Sequence, residues 1–74
     1  MKNPLGHWMG SVPYNDDFGV PIEDTFYDAK TTKGPWALMA PPSFEKHGIG
    51  KLGEGWGQKY HKPAGEYRWL KVEG

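Results

Sequence analysis

From residue 48 to residue 57 every second or third position is glycine, in the run GIGKLGEGWG. Glycine costs about 1 kcal/mol relative to alanine inside a helix, so no helix propagates through such a stretch. Gly48, Gly50 and Gly53 do match the G-x-G-x-x-G spacing of dinucleotide-binding loops. That fingerprint needs a strand before the glycines and a helix opening on the third one, inside a βαβ unit. Here the third glycine runs into Glu-Gly-Trp-Gly, and only 21 residues follow Gly53. A Walker A loop is excluded too, because no Gly-Lys-Ser/Thr occurs. The plainer reading is steric: these glycines let the backbone take positive φ and pass close to bulky groups. Trp56 then stands between glycines because its ring needs room, or because another backbone crosses there. Gln58 is placed to satisfy nearby backbone groups. In the alternative, exposed amides and Lys51 bind a partner.

A crossing of this kind joins short elements, and the chain has room for few. Its 74 residues form one domain, 1–74, with a small core. Small folds are commonly stapled by disulfides or a metal, yet there is no cysteine. His7, His47 and His61 lie 40 and 14 residues apart, unlike a compact ligand set, so neither metal nor other cofactor is expected. Aromatic residues supply the compensation: 15% of the chain is Phe, Trp or Tyr, each ring able to bury about 150–250 Å².

Formal net charge is zero, which excludes strong whole-molecule attraction to polyanions or membranes. The distribution is uneven. Residues 1–44 carry three lysines against five acids, whereas residues 45–74 carry six basic side chains against four acids. Nothing approaches the roughly 18 apolar residues of a membrane span, and no signal-peptide core follows Met1. The chain is expected to be soluble and intracellular, or released by lysis of a host cell.

Along the sequence, residues 1–19 read as an irregular arm broken by Pro4, Gly6, Gly10, Pro13 and Gly19. Its apolar island His7-Trp8-Met9 either folds back over the core or reaches a neighbouring molecule. The β-rich core is 20–74. Residues 24–30 and 35–40 suit two strands of a hairpin, with Trp36 and Leu38 on one face and Ala37 and Met39 on the other. Pro41 and Pro42 stop the second strand. Ser43 is placed to cap a short helical turn, with Glu45 near its start and Gly48 as terminator. A strand over 56–60, a Lys-Pro-Ala-Gly turn and a strand over 66–72 form a second hairpin, with Tyr67, Trp69 and Lys71 on one face. The expected fold is small and mainly β: two β-hairpins joined by a short helical turn and the glycine-rich crossing.

The run from Asn15 to Tyr60, about two thirds of the chain, resembles a family of very small phage-encoded proteins of the four-cysteine zinc-ribbon kind. The residues that carry the likeness are Gly34-Pro35-Trp36-Ala37-Leu38-Met39, Gly55-Trp56-Gly57-Gln58-Lys59-Tyr60 and the ending Trp69-Leu70-Lys71-Val72-Glu73-Gly74. The resemblance implies two metal-binding knuckles, but Asn15 and Phe18 stand at the first and Ala40 and Ser43 at the second. All four ligands are missing, so zinc is not carried over and the expectation is a zinc-ribbon-like fold without metal. A structural zinc supplies about 10 kcal/mol or more of apparent binding energy. Packing must replace it, and a cluster of Phe18, Pro41, Pro42 and Phe44 is the expected substitute, with Phe18→Ala costing at least about 2 kcal/mol.

Catalytic groups are sparse. There is no cysteine nucleophile, and neither Ser11 nor Ser43 lies in a G-x-S-x-G elbow. Asp16-Asp17 and Glu23-Asp24 read as solvated turn residues, and Asp28 as a structural acceptor for Tyr27 or Thr31. His47 and His61 each neighbour a lysine on an expected surface. The chain is read as a non-enzyme without a small-molecule substrate. Its expected function is protein–protein contact by a small phage-encoded binding protein in the host cytoplasm. The contact face would carry Trp56, Tyr60, His61, Tyr67 and Trp69. An alternative is a nucleic-acid-binding platform in which Lys51, Lys59, Lys62, Arg68 and Lys71 accompany Trp56 and Tyr60. A third reading is a structural virion component whose arm straps a neighbour.

Overall fold

The computed structural model describes residues 6–74. Residues 1–5 of the expected arm, with Pro4 among them, lie outside the described residues. Four strands form one antiparallel sheet: β1 (Thr25–Lys30), β2 (Trp36–Met39), β3 (Gly57–His61) and β4 (Leu70–Glu73), in the order β2-β1-β3-β4. One short helix, α1 (Pro41–His47), follows β2. The protein is thus small and β-rich, as the alternating segments require. Both expected hairpins are present, and β1 pairs with β3 from Thr25↔His61 to Ala29↔Gly57, fusing them into one sheet.

The strand termini differ from the sequence reading, most at the C-terminal hairpin. The last strand begins at Leu70, so Tyr67 and Trp69 do not alternate on a strand with Lys71. The reason is Glu66, whose carboxylate accepts the backbone N–H groups of Tyr67 and Arg68 at 3.0 and 3.1 Å. That local bond set holds the chain in a bend and competes with ladder formation. In α1, the N-cap is Ala40 and no side chain caps the helix; Ser43 lies inside it and is buried. Gly48 does end the helix, donating its N–H to the Phe44 carbonyl at 2.8 Å. Its φ is −75°, so left-handed geometry is not what selects glycine there. A Cβ at Gly48 would lie 2.6 Å from Cδ1 of Phe44, and close packing against that ring excludes a side chain.

Both faces of the sheet are covered, and alternation decides by what. Phe26 faces the side over which the arm runs. Trp8 meets it edge-on with ring centres 5.3 Å apart, Trp69 at 5.2 Å, and Tyr60 stacks on it at 5.2 Å. Ile22 and Ala40 complete this core, with Val12, Val20 and Leu38 packed around it. Phe26 and Met39 are fully buried, a gain of about 1.5–3 kcal/mol each from burial, and each aromatic pair adds about 0.5–1.5 kcal/mol. On the opposite face Tyr27 stacks on Phe44 of α1, with centres 3.9 Å apart and planes 5° from parallel. Ala29, buried, sits on this same helix-side face of β1, two residues beyond Tyr27.

The described part of the arm packs on its own sheet. Trp8 donates its N–H to the Trp69 carbonyl, and Lys71 donates to the Gly6 carbonyl, which covers the β4 edge. At the far edge Asp17 donates to the Leu38 carbonyl and its carboxylate accepts the Leu38 N–H at 2.8 Å, covering part of β2. The arm therefore runs from one sheet edge to the other.

The join between arm and helix differs from the expected apolar cluster. Phe18 stacks on His47 at 4.0 Å, Phe44 faces Tyr27, and Pro41 and Pro42 are exposed, so these four do not meet as one cluster. A carboxylate takes their place. Asp16 is 6% exposed; one oxygen accepts the N–H groups of Phe18 and Val20, and the other accepts that of Ala40, each at 2.8 Å. The expectation of a solvated Asp16-Asp17 pair is corrected by this geometry. Two turns each present backbone donors toward one point, and a carboxylate satisfies them all.

Candidate functional site

The glycine-rich crossing carries an exposed aromatic ring at the end of the sheet. Gly53 and Gly57 exchange backbone hydrogen bonds, with N–H of Gly53 donating at 2.7 Å and N–H of Gly57 at 2.9 Å. Gly53 has φ of 121° and Gly55 of 86°, which L side chains rarely adopt. The loop they close carries Trp56 at its exit. Of the two roles open for the flanking glycines, the structure selects the second. Gly57 lies directly on β1, where an added Cβ would overlap Cβ of Ala29 and fall 2.7 Å from its Cα. The crossing backbone, not the indole, requires glycine there.

Trp56 is held beside Lys30, whose N–H donates to the Trp56 carbonyl at 2.9 Å. On the other side of Lys30 the β1–β2 register pairs it with Trp36. The result is a row, Trp36–Lys30–Trp56, across the end of the sheet. Lys51 extends it, with its ammonium 4.8 Å from the Trp56 ring centre, against 5.4 Å for Lys30. Such cation–π contacts contribute about 0.5–1 kcal/mol at exposed sites. Trp36 and Trp56 stay 43% and 39% exposed.

Beside Trp36, at the edge of β2, lies a groove of about 280 Å³. The stacked Phe18 and His47 rings form one wall, Pro35 and Trp36 the other, and Lys33 stands at its rim; no acidic residue lines it. The turn that carries Pro35 is rigidly tied: Thr31 donates both its N–H and its hydroxyl to the Pro35 carbonyl, at 3.0 and 2.8 Å.

The residues singled out from sequence occupy several regions. Trp56 and Lys51 belong to the row. Tyr60 and Trp69 pack against Phe26 in the core. His61 places Nδ1 3.1 Å from the Thr25 hydroxyl. Lys59 lies over the Tyr27 ring at 5.7 Å, and the Lys62 ammonium donates to the Glu66 carbonyl at 3.4 Å. Tyr67, 87% exposed, and Arg68 sit on the C-terminal bend, where Arg68 pairs with Glu66 at 3.2 Å. Hydrogen bonds from Arg68 hold the Glu66 carboxyl down at about 2. Trp36 and Lys30 were missed, although the hairpin register that joins them follows from the 24–40 pattern. Asp16 was missed as well; the signal was Asp two residues before Phe18-Gly19, an Asx-turn pattern.

Asp28 lies on the arm-side face, between Leu38 and Gln58 in register. It does not accept from Tyr27 or Thr31 as expected, since the Thr31 hydroxyl is committed to Pro35. Burial, and then the charge of Asp17, pushes its carboxyl above the ordinary range. Burial, and then the charge of Asp28, raises Tyr60 in the same direction. Among the described residues, no three potential metal-ligating side chains gather, and no helix is long and apolar enough to cross a membrane. Comparison with protein-family models, with curated proteins and with solved structures finds no match to this chain.

Proposed function

We propose that this chain is a small non-enzymatic binding protein that acts by contact with another protein, through the Trp36–Lys30–Trp56 end of the sheet. The single observation that carries this reading is the exposure of two tryptophans flanking one lysine. The fold does not need them inside, because Trp8, Phe26, Tyr60 and Trp69 already build the aromatic core. Tryptophan is among the residue types most enriched at interface anchors. The motif resemblance supports a phage origin and a host-cell protein as the partner. Affinity capture from bacterial lysate, with and without nuclease and at high salt, tests the reading. Capture of one protein that resists both treatments and disappears with the folded Trp36→Ala/Trp56→Ala variant is expected.

One observation favours a second reading. Lys30 and Lys51 bracket Trp56 within 5.4 and 4.8 Å, an arrangement that also suits a single strand of nucleic acid stacked on the indole. Nuclease-sensitive capture, with binding that falls steeply as salt rises, would select it.

A further inference from the structure

We infer that the β2 edge at Trp36 is a strand-addition site for an extended segment of a partner protein, one carrying an apolar side chain two positions from a carboxylate. The inference rests on the protein-contact reading above and names its mode.

The hydrogen-bonding pattern sets the geometry. In an antiparallel ladder, alternate residues of an edge strand turn both N–H and C=O away from the neighbouring strand. Leu38 is such a residue, for its N–H and C=O are both taken by Asp17 from outside the sheet. Trp36, two positions earlier and paired with Lys30, turns its groups the same way. Thr31, by contrast, bonds inward to Pro35, and Lys30 bonds to Trp56 on the β3 side, which fixes the alternation. Asp17 thus supplies one rung of a fifth strand, and the rung at Trp36 points out of the sheet. The arm leaves this line at Phe18, whose N–H turns back to Asp16.

The groove beside that rung sets the side-chain preference. An extended peptide pairing with Trp36 directs alternate side chains to opposite faces. One of them enters the groove between the Phe18–His47 stack and Pro35. The lining is apolar apart from its rim, where Lys33 is the charged residue and no acid competes. A carboxylate two positions from the apolar residue, on the same face of the peptide, meets that ammonium. A second copy of this chain fits less well, because Asp17 leaves a single outward rung, too short for an edge-to-edge ladder between identical β2 strands.

The probe is a fluorescein-labelled hexapeptide of β-branched residues around a central Phe-Thr-Glu motif, titrated into the full chain labelled with ¹⁵N. Saturable binding is expected, with the Trp36 amide shifted and protected from hydrogen exchange. N-methylation of the central peptide N–H, or lysine in place of the glutamate, should weaken binding about tenfold or more. The Lys33→Glu variant should reverse the charge preference while melting normally, since Lys33 is an exposed turn residue. Equal binding of the N-methylated peptide, or no change at Trp36, overturns the inference. A dimer that protects Trp36 as protein concentration rises overturns it as well, assigning the edge to self-pairing. Tryptophan-dependent capture of a protein with the Trp36 amide unprotected in the complex sinks the edge site and leaves the wider reading standing. Peptide binding at the edge without tryptophan-dependent capture does the reverse.

Discussion

Asp16 and Asp28 are carboxylates withdrawn from water in two different regions, and their surroundings act on them in opposite directions. At the arm–helix corner, burial raises the Asp16 pKa, but hydrogen bonds from the Ser43 hydroxyl and the Ala40, Val20 and Phe18 amides outweigh it, and the net effect is downward. In the middle of the sheet, Asp28 meets burial plus the like charge of Asp17, and its pKa goes up. The lesson is that burial alone does not decide what a charge does to a fold; the backbone donors aimed at it do. The first carboxylate ties chain segments together. The second is a local cost that the surrounding pairing tolerates.

The strongest way to break this comparison is Asp16→Asn. An amide preserves shape but turns an NH₂ toward at least one backbone donor that the carboxylate had accepted. The expected loss is about 2–4 kcal/mol in chemical unfolding, from charge-assisted bonds lost and donors left buried; a loss under about 1 kcal/mol would show that packing holds this corner. Ser43→Ala removes the hydroxyl from the same cluster and should cost about 1 kcal/mol by the same measurement. Asp28→Asn should go the other way, with a gain below about 1 kcal/mol because solvent still screens the half-buried group. Phe18→Ala, expected from sequence to cost at least about 2 kcal/mol, should cost less than about 1 kcal/mol, because its ring is 43% exposed.

Acidity sharpens the same contrast without mutation. The folded-state pKa of Asp16 lies below its ordinary value of 3.8, so its contribution is present above that value and is lost as pH falls through the folded one. Asp28 is raised, so its ionised form opposes folding, and that opposition fades as pH falls toward 3.8. Acidification toward pH 3.8 should therefore raise the wild-type melting temperature slightly, and further acidification below pH 3.8 should lower it. In Asp28→Asn the rise above pH 3.8 disappears, while the decline below pH 3.8 remains.

Much of the sheet was legible because strands announce themselves by composition and turns by proline and glycine. Residues 24–40 gave the first hairpin and its faces, since Thr25, Phe26 and Tyr27 favour pleated backbone and Pro35 fits only a strand start. The last strand was over-extended because Glu66-Tyr67-Arg68 has strand composition, while the bend comes from bonds between the Glu66 side chain and the two amides after it. The candidate surface was half legible: Trp56 and Lys51 were named, but Tyr60 and Trp69 have the same composition as interface residues and are core residues here. Exposure of a ring depends on what lies over it, and Trp8 comes from a segment without periodicity.

Sequence by itself settled the β-rich class, the absence of disulfides and the exclusion of helix from the glycine-rich stretch, because these follow from residue chemistry and local backbone freedom. Tertiary structure alone decided that Asp16, rather than a cluster around Phe18, joins arm to helix. It also decided that Trp36 and Trp56 share one end of the sheet. Both depend on which distant segments meet, and backbone donors converging on one carboxylate from residues 18, 20 and 40 leave no mark in any short stretch of sequence.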